Sequence, residues 1–325
     1  MASWIRESAM SSSSPPASAG RPPVVRLAAD GLPARLRGEP DSQLRLIWRR
    51  LWRHKLAMSG LFILLFLVLL AIFAPLLTSY DRDKINLIAR FQTPSAAYWM
   101  GTDELGRDVL TRILYAGRVS LSVGVIVALL STLIGGVVGI VSAYLGGWAD
   151  EAIMRAIDVI RSLPPLAILI ILAQLLRAQF EISSSVWTIV FILVILSWTS
   201  IARIVRGVAL SLKEQEFIMA ARAIGASPWR IILVHLFPNA LPPMIVAATL
   251  GAGAAISAES ALSFLGLGIQ PPTPSWGNML FNAQSYLWNN PWIAVFPGFF
   301  IFITLISFNF LGDGLRDALD PRQTV

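Results

Sequence analysis

The sequence predicts an all-α membrane protein with six transmembrane helices. Of its 325 residues, 55% are apolar and only 14% are charged, whereas soluble domains carry about 25% charged residues. The apolar residues collect in six separate runs, and a helix needs about 20 such residues to cross the hydrocarbon layer. The low charge and the six runs together define the fold class before any motif is considered.

The six predicted spans follow a polar amino-terminal segment. Residues 1–43 include the low-complexity stretch SSSSPPASAGRPP. This composition predicts a flexible cytoplasmic tail, which either stays passively solvated or touches anionic lipid through its basic residues. Residues 44–325 form the predicted transmembrane domain, with spans at about 56–77, 119–145, 152–176, 186–204, 241–260 and 291–311 and a long loop at 205–240.

The distribution of Arg and Lys predicts the orientation of the spans. Ten basic residues precede the first span, and five of them lie between Arg45 and Lys55, directly beside it. Cytoplasmic flanks are enriched in basic residues, so the amino terminus is predicted to lie inside. Six spans return the carboxyl terminus to the cytoplasm, and the loop at 205–240 falls on the same side.

The residue inventory offers little on which catalysis could rest. The chain has no Cys, and its two histidines, His54 and His235, are far apart in sequence. None of its three lysines, Lys55, Lys84 and Lys213, follows a glycine, so the chain lacks the P-loop that binds ATP. We predict a non-enzymatic protein with no metal site and no cofactor of its own. The net charge of +7 lies beside membrane spans, and nucleic acid is therefore not a predicted partner.

The loop after the fourth span contains a predicted amphipathic helix over residues 214–224. Phe217, Ala221 and Ile224 fall at i, i+4 and i+7, on one face. Glu216 lies in the first turn, where the helix dipole favours an acid. A helix this short is marginal in water, so it must pack against the spans of the protein, against a separate cytoplasmic subunit, or on the membrane surface.

A sharp corner follows this helix in the sequence. Gly225 is expected to end the helix in a left-handed conformation, and Ser227 is a predicted N-cap for a second helix that begins at Pro228. Pro238 is expected to stop that second helix.

Small residues recur at every fourth position in two spans, which allows helix backbones to approach closely. In the fifth span the series Ala247, Gly251 and Ala255 leads to Glu259. An acid at membrane depth is costly. Either Glu259, with the nearby Ser263, lines a pore or gate, or the acid is satisfied by a neighbouring helix near the outer interface.

An external amphipathic helix is predicted over residues 103–117. Asp103 is its expected cap, and Arg107 and Asp108 lie in its first turns. The helix is either a platform for an external binding protein or gate, or an interfacial anchor for the second span.

Four segments together resemble the C-type permease subunit of dipeptide and oligopeptide ABC importers. The loop is similar to the EAA motif of binding-protein-dependent importers, in which Glu-Ala-Ala, three residues, Gly, nine residues and Ile-x-Leu-Pro follow one another. Ala220, Ala221, Gly225 and Pro238 match that motif, and Met219, His235 and Phe237 replace its Glu, Ile and Leu. The other three segments are GTDELGRDVLTRILYAGRVSLSVG (101–124), SFLGLGIQPPTPSWGNML (263–280) and FNFLGDGLRDALDPR (308–322), so the resemblance extends from about residue 45 to the end.

The resemblance implies the type I ABC importer permease fold, in which a cytoplasmic coupling helix docks in a groove on an ATPase subunit. It implies a heterodimer with a B-type permease in the bacterial cytoplasmic membrane, two ATPase subunits that bind ATP and Mg²⁺, an external substrate-binding protein and short peptides as cargo. Arg222 would reach either an acid on the ATPase or a carbonyl at its own helix end. The coupling candidates are Glu216, Phe217, Ala220, Ala221, Arg222, Gly225 and Ser227.

Two alternatives to this function remain open. Importers of nickel or glutathione share the same sequence blocks, and the external binding protein largely selects the cargo. A secondary transporter that works without ATP is the other alternative, although that class favours paired charges or repeated halves with broken helices.

Overall fold

A computed structural model describes residues 43–180 and 186–320 of the chain. The predicted tail, apart from Gln43, lies outside the described residues, as do residues 181–185 and 321–325. A π-helical turn at Ile231–Leu236 joins two of the helices into one continuous helix over residues 228–264. The α-helices are α1 (Gln43–Arg53), α2 (Lys55–Ile72), α3 (Ala74–Leu77), α4 (Val109–Leu145), α5 (Gly147–Ser162), α6 (Pro165–Phe180), α7 (Val186–Lys213), α8 (Glu216–Ala223), α9 (Pro228–Arg230), α10 (Phe237–Phe264), α11 (Trp276–Ala283) and α12 (Trp292–Leu319).

Within the described residues, five helices are long and apolar enough to cross a membrane, namely α2, α4, α7, the continuous helix over 228–264, and α12. The pair α5 and α6 also passes this test when the two are taken together, although they are bent by 88°. The prediction of an all-α membrane protein is confirmed, and the described part of the chain contains five candidate spans, or six when the bent pair is counted as one span.

Helix α4 lies at the centre of the bundle and packs along α7 and α10, while α12 bridges α10 and α2. Two glycines of α4 allow its backbone to approach that of α7. A Cβ atom at Gly135 would lie 2.5 Å from the carbonyl oxygen of Trp198, and one at Gly139 would lie 2.5 Å from that of Ala202. These distances are shorter than any ordinary contact, so the two helices meet backbone to backbone.

The predicted third span, at 152–176, falls on the bent pair α5 and α6 and is not one continuous helix. Helix α5 ends at Ser162, and Leu163 is extended with a ψ of 146°. Leu163 precedes Pro164, and a residue before proline is disfavoured in the helical region. Pro165 then opens α6 at the first helical position, which tolerates proline. Two consecutive prolines therefore account for the break.

The predicted external helix over 103–117 is also wrong. Helix α4 begins at Val109 and continues without a break into the second span. Its N-cap is Asp108, whose carboxylate accepts hydrogen bonds from the backbone N–H of Thr111 at 2.7 Å and from the Thr111 hydroxyl at 2.6 Å. Asp103 lies before the helix in a tight turn, where Gly106 adopts a positive φ of 72°. A positive φ interrupts a right-handed helix, which explains the difference.

The predicted stop at Pro238 is wrong as well. Pro238 lies at the start of α10, and the helix continues past it to Phe264. The π turn immediately before it absorbs the irregularity, because the N–H of Phe237 bonds to the carbonyl of Ile232, five residues back. A wider turn next to a residue that has no N–H accommodates the proline without ending the helix.

Three further boundaries differ from the predicted ones. The first span breaks at Phe73, because Pro75 lies at the start of the short helix α3. Helices α7 and α12 run on to Lys213 and Leu319, past the predicted ends at 204 and 311. The length of an apolar run sets how much of a helix can lie in the hydrocarbon layer. The backbone hydrogen bonds of the helix can continue beyond that layer.

The close contact of α4 with α7 predicts a stability difference between two matched glycine substitutions. Gly139→Ala places a methyl group against the α7 backbone, and such overpacking costs about 1–3 kcal/mol of unfolding free energy. Gly207→Ala is the control, because its added methyl group meets nothing within 4 Å and alanine favours helix by about 1 kcal/mol. Thermal unfolding in detergent should show a lower Tm for Gly139→Ala and an unchanged or higher Tm for Gly207→Ala. Equal behaviour of the two variants would contradict the backbone contact.

Candidate functional site

The loop between α7 and the next span places helix α8 against the ends of α4 and α7 at one end of the bundle. Ile218 is fully buried and Ala221 is 7% exposed. Ile218 packs in a cluster with residues of α4, α7 and the π turn, among them Ile140, Val205 and Ile231. The buried face of α8 is therefore occupied by the protein's own spans.

The predicted apolar face of α8 is thus only partly correct. Phe217 and Ile224 point outward, with 43% and 87% of their surface exposed, while Ala221 points inward. Ala220 and Glu216 are also exposed. The periodicity of the sequence predicts a single apolar face on α8. In the structure, one side of the helix packs on the spans and the other side points away from them.

The corner after α8 has the predicted geometry. Gly225 has a φ of 82°, in the left-handed region. The N–H of Ala226 donates to the carbonyl of Ala221 at 3.0 Å, and the N–H of Gly225 donates to that of Arg222 at 3.0 Å. This pair of bonds is a Schellman motif. Ser227 then caps α9 by accepting a hydrogen bond from the N–H of Arg230 at 3.4 Å.

Arg222 makes a contact that the sequence did not predict. Its guanidinium lies 5.5 Å from the centre of the Tyr144 ring, at the end of α4. This cation–π contact links the outer turn of α8 to the second span. Within this chain Arg222 therefore contacts the Tyr144 ring, and an acid on a partner ATPase stays a prediction.

The ends of α4, α5 and α7 are joined by an ion pair close to that contact. Asp150 is 8% exposed, and its two carboxylate oxygens accept hydrogen bonds from Nε and Nη2 of Arg206 at 2.6 and 2.5 Å. The hydroxyl of Ser142 donates to the same carboxylate. Such a two-pronged pair fixes direction as well as distance, so it holds the start of α5 against α7.

Lys213 completes this anchor at the end of α7. Its Nζ donates to the carbonyls of Ala143 and Tyr144, each at 3.1 Å. The last carbonyls of a helix lack partners within the helix and carry its negative end, so a lysine stabilises them. The backbone that carries Tyr144 is therefore held by α7, and the Tyr144 ring in turn contacts α8. We call Asp150, Arg206, Lys213 and Tyr144 the loop anchor.

Sequence reasoning missed the loop anchor. Asp150 lies between two predicted spans, and its position in the sequence does not indicate that it meets Arg206. A signal was nevertheless present, because each of these charges lies at the end of an apolar run, where it can reach the end of a neighbouring helix.

The outer side of the loop is an apolar surface that the described part of this chain leaves uncovered. Its residues are between 43% and 87% exposed, although large apolar side chains are normally buried or packed on a partner. We call it the coupling surface, and it consists of Phe217, Met219, Ile224, Trp229, Leu233 and Val234.

Glu259 is enclosed near the far end of α10. It has no exposed surface, and its Oε1 accepts a hydrogen bond from the Ser263 hydroxyl at 2.7 Å. The hydroxyls of Ser260, Ser120 and Ser275 surround the same carboxylate. Ser263 is itself 2% exposed. In this conformation neither Glu259 nor Ser263 lines an open path, and the geometry matches the interpretation of an acid that neighbouring helices satisfy.

The residues predicted for the external helix are instead buried in the connection between α3 and α4. Asp103, Arg107 and Asp108 are 4%, 6% and 5% exposed. Nε of Arg107 donates to Asp103 at 2.7 Å, and Arg112 lies 3.6 Å from the same oxygen. These side chains stabilise their own segment, so they do not form an exposed platform in this conformation.

Glu104 adds a third acid to that cluster. Its carboxylate lies 3.0 Å from Nη2 of Arg107. Burial raises the pKa of Glu104 above its ordinary value, and the adjacent negative charge of Asp103 raises it further. Among the described residues, no group of three or more His, Cys, Asp and Glu has the arrangement that could hold a metal ion.

Comparisons with known proteins match this architecture. Residues 135–325 match the family described as "Binding-protein-dependent transport system inner membrane component", and residues 42–94 match the "N-terminal TM domain of oligopeptide transport permease C". The "Dipeptide transport system permease protein DppC" of Bacillus subtilis (strain 168) is 47% identical over 276 residues, which cover 85% of this chain and 84% of that protein.

One further relative and one solved structure extend the comparison. The "Glutathione transport system permease protein GsiD" of Pectobacterium atrosepticum is 39% identical over 288 residues, which cover 87% of this chain and 93% of that protein. A structure of the MetNI methionine ABC transporter in an inward-facing conformation aligns with a TM-score of 0.53 at 20% identity, over 65% of this chain and 96% of the other. That likeness shows the type I importer permease fold.

The loop anchor predicts unequal effects for two neighbouring acids. Asp150→Asn leaves Arg206 without its buried carboxylate, and we expect a loss of about 1–3 kcal/mol of unfolding free energy. Glu151→Gln is the matched control, because Glu151 pairs with Arg155 in solvent, with side chains 60% and 77% exposed, and exposed pairs contribute little. Thermal unfolding of the purified chain gives both values. A Tm for Asp150→Asn that equals that of Glu151→Gln would rule out a structural role for the pair.

Proposed function

Because this chain belongs to the family of binding-protein-dependent transport system inner membrane components, we propose that it is the C-type permease subunit of an ATP-driven importer of short peptides. In this proposal it forms half of a translocation pore with a related B-type permease. Two cytoplasmic ATPase subunits bind ATP and Mg²⁺ and hydrolyse the ATP, and an external binding protein delivers the peptide. The chain itself is a non-catalytic pore subunit of the bacterial cytoplasmic membrane.

The proposal rests on the coupling surface, which lies on the outer side of a loop whose inner side is held by the loop anchor. Ile224 presents 87% of its surface outward, while Ile218 on the same short helix is fully buried. A surface that is both apolar and firmly held suits a partner that must push on it. Exposure of these apolar side chains to water is unfavourable. Basic residues around the loop, such as Arg203 and Arg230, favour a position of the loop in the cytoplasm over one in the hydrocarbon layer.

The roles of the coupling candidates divide according to where their side chains lie. Phe217 and Ala220 are exposed and would contact the ATPase. Ala221 is buried against the spans, and the exposed Arg222 contacts Tyr144 of α4, so both would transmit movement to α4. Gly225 and Ser227 would hold the corner between them. An Ala221→Trp change would therefore disturb packing within this chain rather than test docking.

The peptide cargo is supported by the relatives named for dipeptide and oligopeptide transport. Glutathione, itself a small peptide, is the alternative suggested by the relative named for its transport. Competition assays in cells that carry the complete transporter decide between them. Inhibition of labelled dipeptide uptake by di- and oligopeptides is expected, and uptake of nickel or glutathione without di- or oligopeptide uptake would refute the proposed cargo.

Ile224→Asp should weaken ATPase association by about tenfold or more. The change places a carboxylate in a desolvated contact, and because Ile224 is 87% exposed in this chain, the fold should be kept. The matched control is Ile88→Asp, which alters a residue that is 97% exposed on the connection between α3 and α4. Co-purification of the ATPase subunits and peptide-stimulated ATP hydrolysis are the readouts. Wild-type association of Ile224→Asp would show that the coupling surface is not the docking site.

The proposed topology places the loop corner in the cytoplasm. The native chain has no Cys, so single cysteines report position cleanly. A cysteine at Ser227 should resist a membrane-impermeant thiol reagent in intact cells and react after permeabilisation. A cysteine at Trp288, which is 95% exposed in the connection between α11 and α12, should react from outside. External labelling at position 227 would overturn both the orientation and the coupling role.

A further inference from the structure

Helix α1 carries a basic and aromatic surface that the transport proposal does not use. Trp48 and Trp52 are 54% and 57% exposed, and their rings meet edge to face with centres 5.8 Å apart. Arg49 and Arg53 are exposed beside them, followed by Lys55 at the start of α2. We call these five residues the α1 surface.

The opposite side of α1 is fixed to the end of α12, so the α1 surface has a defined direction. Leu51 is 5% exposed and packs with Ala57 and Ala318. Nη1 of Arg50 donates to the backbone carbonyl of Asp320 at 3.1 Å, and Nε2 of His54 lies 3.5 Å from the carboxylate of Asp317. The helix is thus attached along one side and open along the other.

The open side is strongly positive. The sequence contains no Asp or Glu between Asp41 and Asp81. Asp317 and Asp320, two acidic residues at the end of α12, contact α1 on its attached side. The surface potential around Arg49 and Arg53 is therefore suited to a partner with several negative charges.

The α1 surface also leads directly into the part of the protein that faces lipid. Helix α2 is a membrane span by length and hydropathy, and Leu56, Phe62 and Phe66 on its outer side are 54%, 70% and 52% exposed. Exposed tryptophans directly before a span belong at the boundary between headgroups and hydrocarbon. Basic side chains next to them lie at the depth of the lipid phosphates.

We infer that the α1 surface binds anionic phospholipid headgroups in the leaflet where the first span begins. Trp48 and Trp52 insert at the boundary, and Arg49, Arg53 and Lys55 contact phosphates. Charge complementarity selects anionic over zwitterionic lipid. The inference rests on the membrane placement of α2 and does not depend on the cargo, so a failure of the peptide proposal would leave it intact.

The test places a reporter on α1 in the complete transporter. A cysteine at Leu46, which is 40% exposed, carries an environment-sensitive fluorophore in a complex whose other cysteines have been replaced. The complex is reconstituted in phosphatidylcholine vesicles that contain either brominated phosphatidylglycerol or an equal amount of brominated phosphatidylcholine. Stronger quenching by the brominated phosphatidylglycerol is expected. Equal quenching by the two lipids would overturn the inference.

Matched variants separate charge from folding. Arg49→Gln with Arg53→Gln should lower the preference for phosphatidylglycerol by about fivefold for each arginine removed. Arg49→Lys with Arg53→Lys should keep it. Arg90→Gln with Arg155→Gln, which removes two exposed arginines that lie on other segments than α1 and α12, should also keep it. An unchanged preference in the Gln variant would contradict the assignment of these side chains.

The same experiment would also reveal either of two other occupants of the α1 surface. Little quenching by either brominated lipid would show that protein covers α1. If removal of residues 1–42 then restores quenching, the cover is the amino-terminal segment of the chain. If it does not, and the Gln variant loses the ATPase subunits, the cover is a partner subunit. Either result overturns the lipid inference.

Discussion

The contact between the backbones of α4 and α7 is the constraint on which the rest of the structure depends. It exists because Gly135 and Gly139 have no side chain to keep Trp198 and Ala202 away. Hydrophobic burial does not draw helices together in lipid, so close packing of this kind must supply the association. With the two helices held side by side, their ends on the coupling-loop side lie within reach of each other's polar side chains.

The loop anchor follows from that proximity. Arg206 and Lys213 on α7 reach Asp150 and the last carbonyls of α4 because the helices are already in contact. The anchor in turn fixes the backbone around Tyr144, against which Arg222 lies. A chain of short contacts thus runs from the middle of the bundle to the outer turn of α8. Because each link is packed or hydrogen-bonded, movement of α8 is expected to carry α4 and α7 with it.

At the opposite end of the bundle, polar contacts around the buried Glu259 also join neighbouring helices. Serines from α4, α10 and the N-cap of α11 surround the buried Glu259, and the indole N–H of Trp276 donates to the carbonyl of Ile113 at 3.1 Å. Trp276 is 1% exposed, so it is a core residue and not a member of an interfacial aromatic belt. A buried acid with this many donors is costly to place but fixes how its neighbours pack.

The sequence predicted features governed by local chemistry and missed those governed by tertiary context. The left-handed Gly225 and the capping Ser227 depend on the conformational preferences of single residues, and both were predicted correctly. The continuation of the helix through Pro238 depends on a π turn that no residue type signals. The inward position of Ala221 could not be predicted, because periodicity identifies an apolar face but not what covers it. Small-residue spacing in α4 was visible, yet the partner helix was not.

A distance measurement within the loop region tests most directly whether this region moves as one body. Spin labels at Ala223, at the end of α8 but outside the coupling surface, and at Trp148, near the start of α5, both replace exposed side chains. Electron paramagnetic resonance on the complete transporter would compare the resting and ATP-bound states. The account predicts an unchanged distance between positions 223 and 148, while the distance from position 223 to a label on the partner permease changes. A change between 223 and 148 as large as the change between the two permeases would show that α8 moves independently of the anchor.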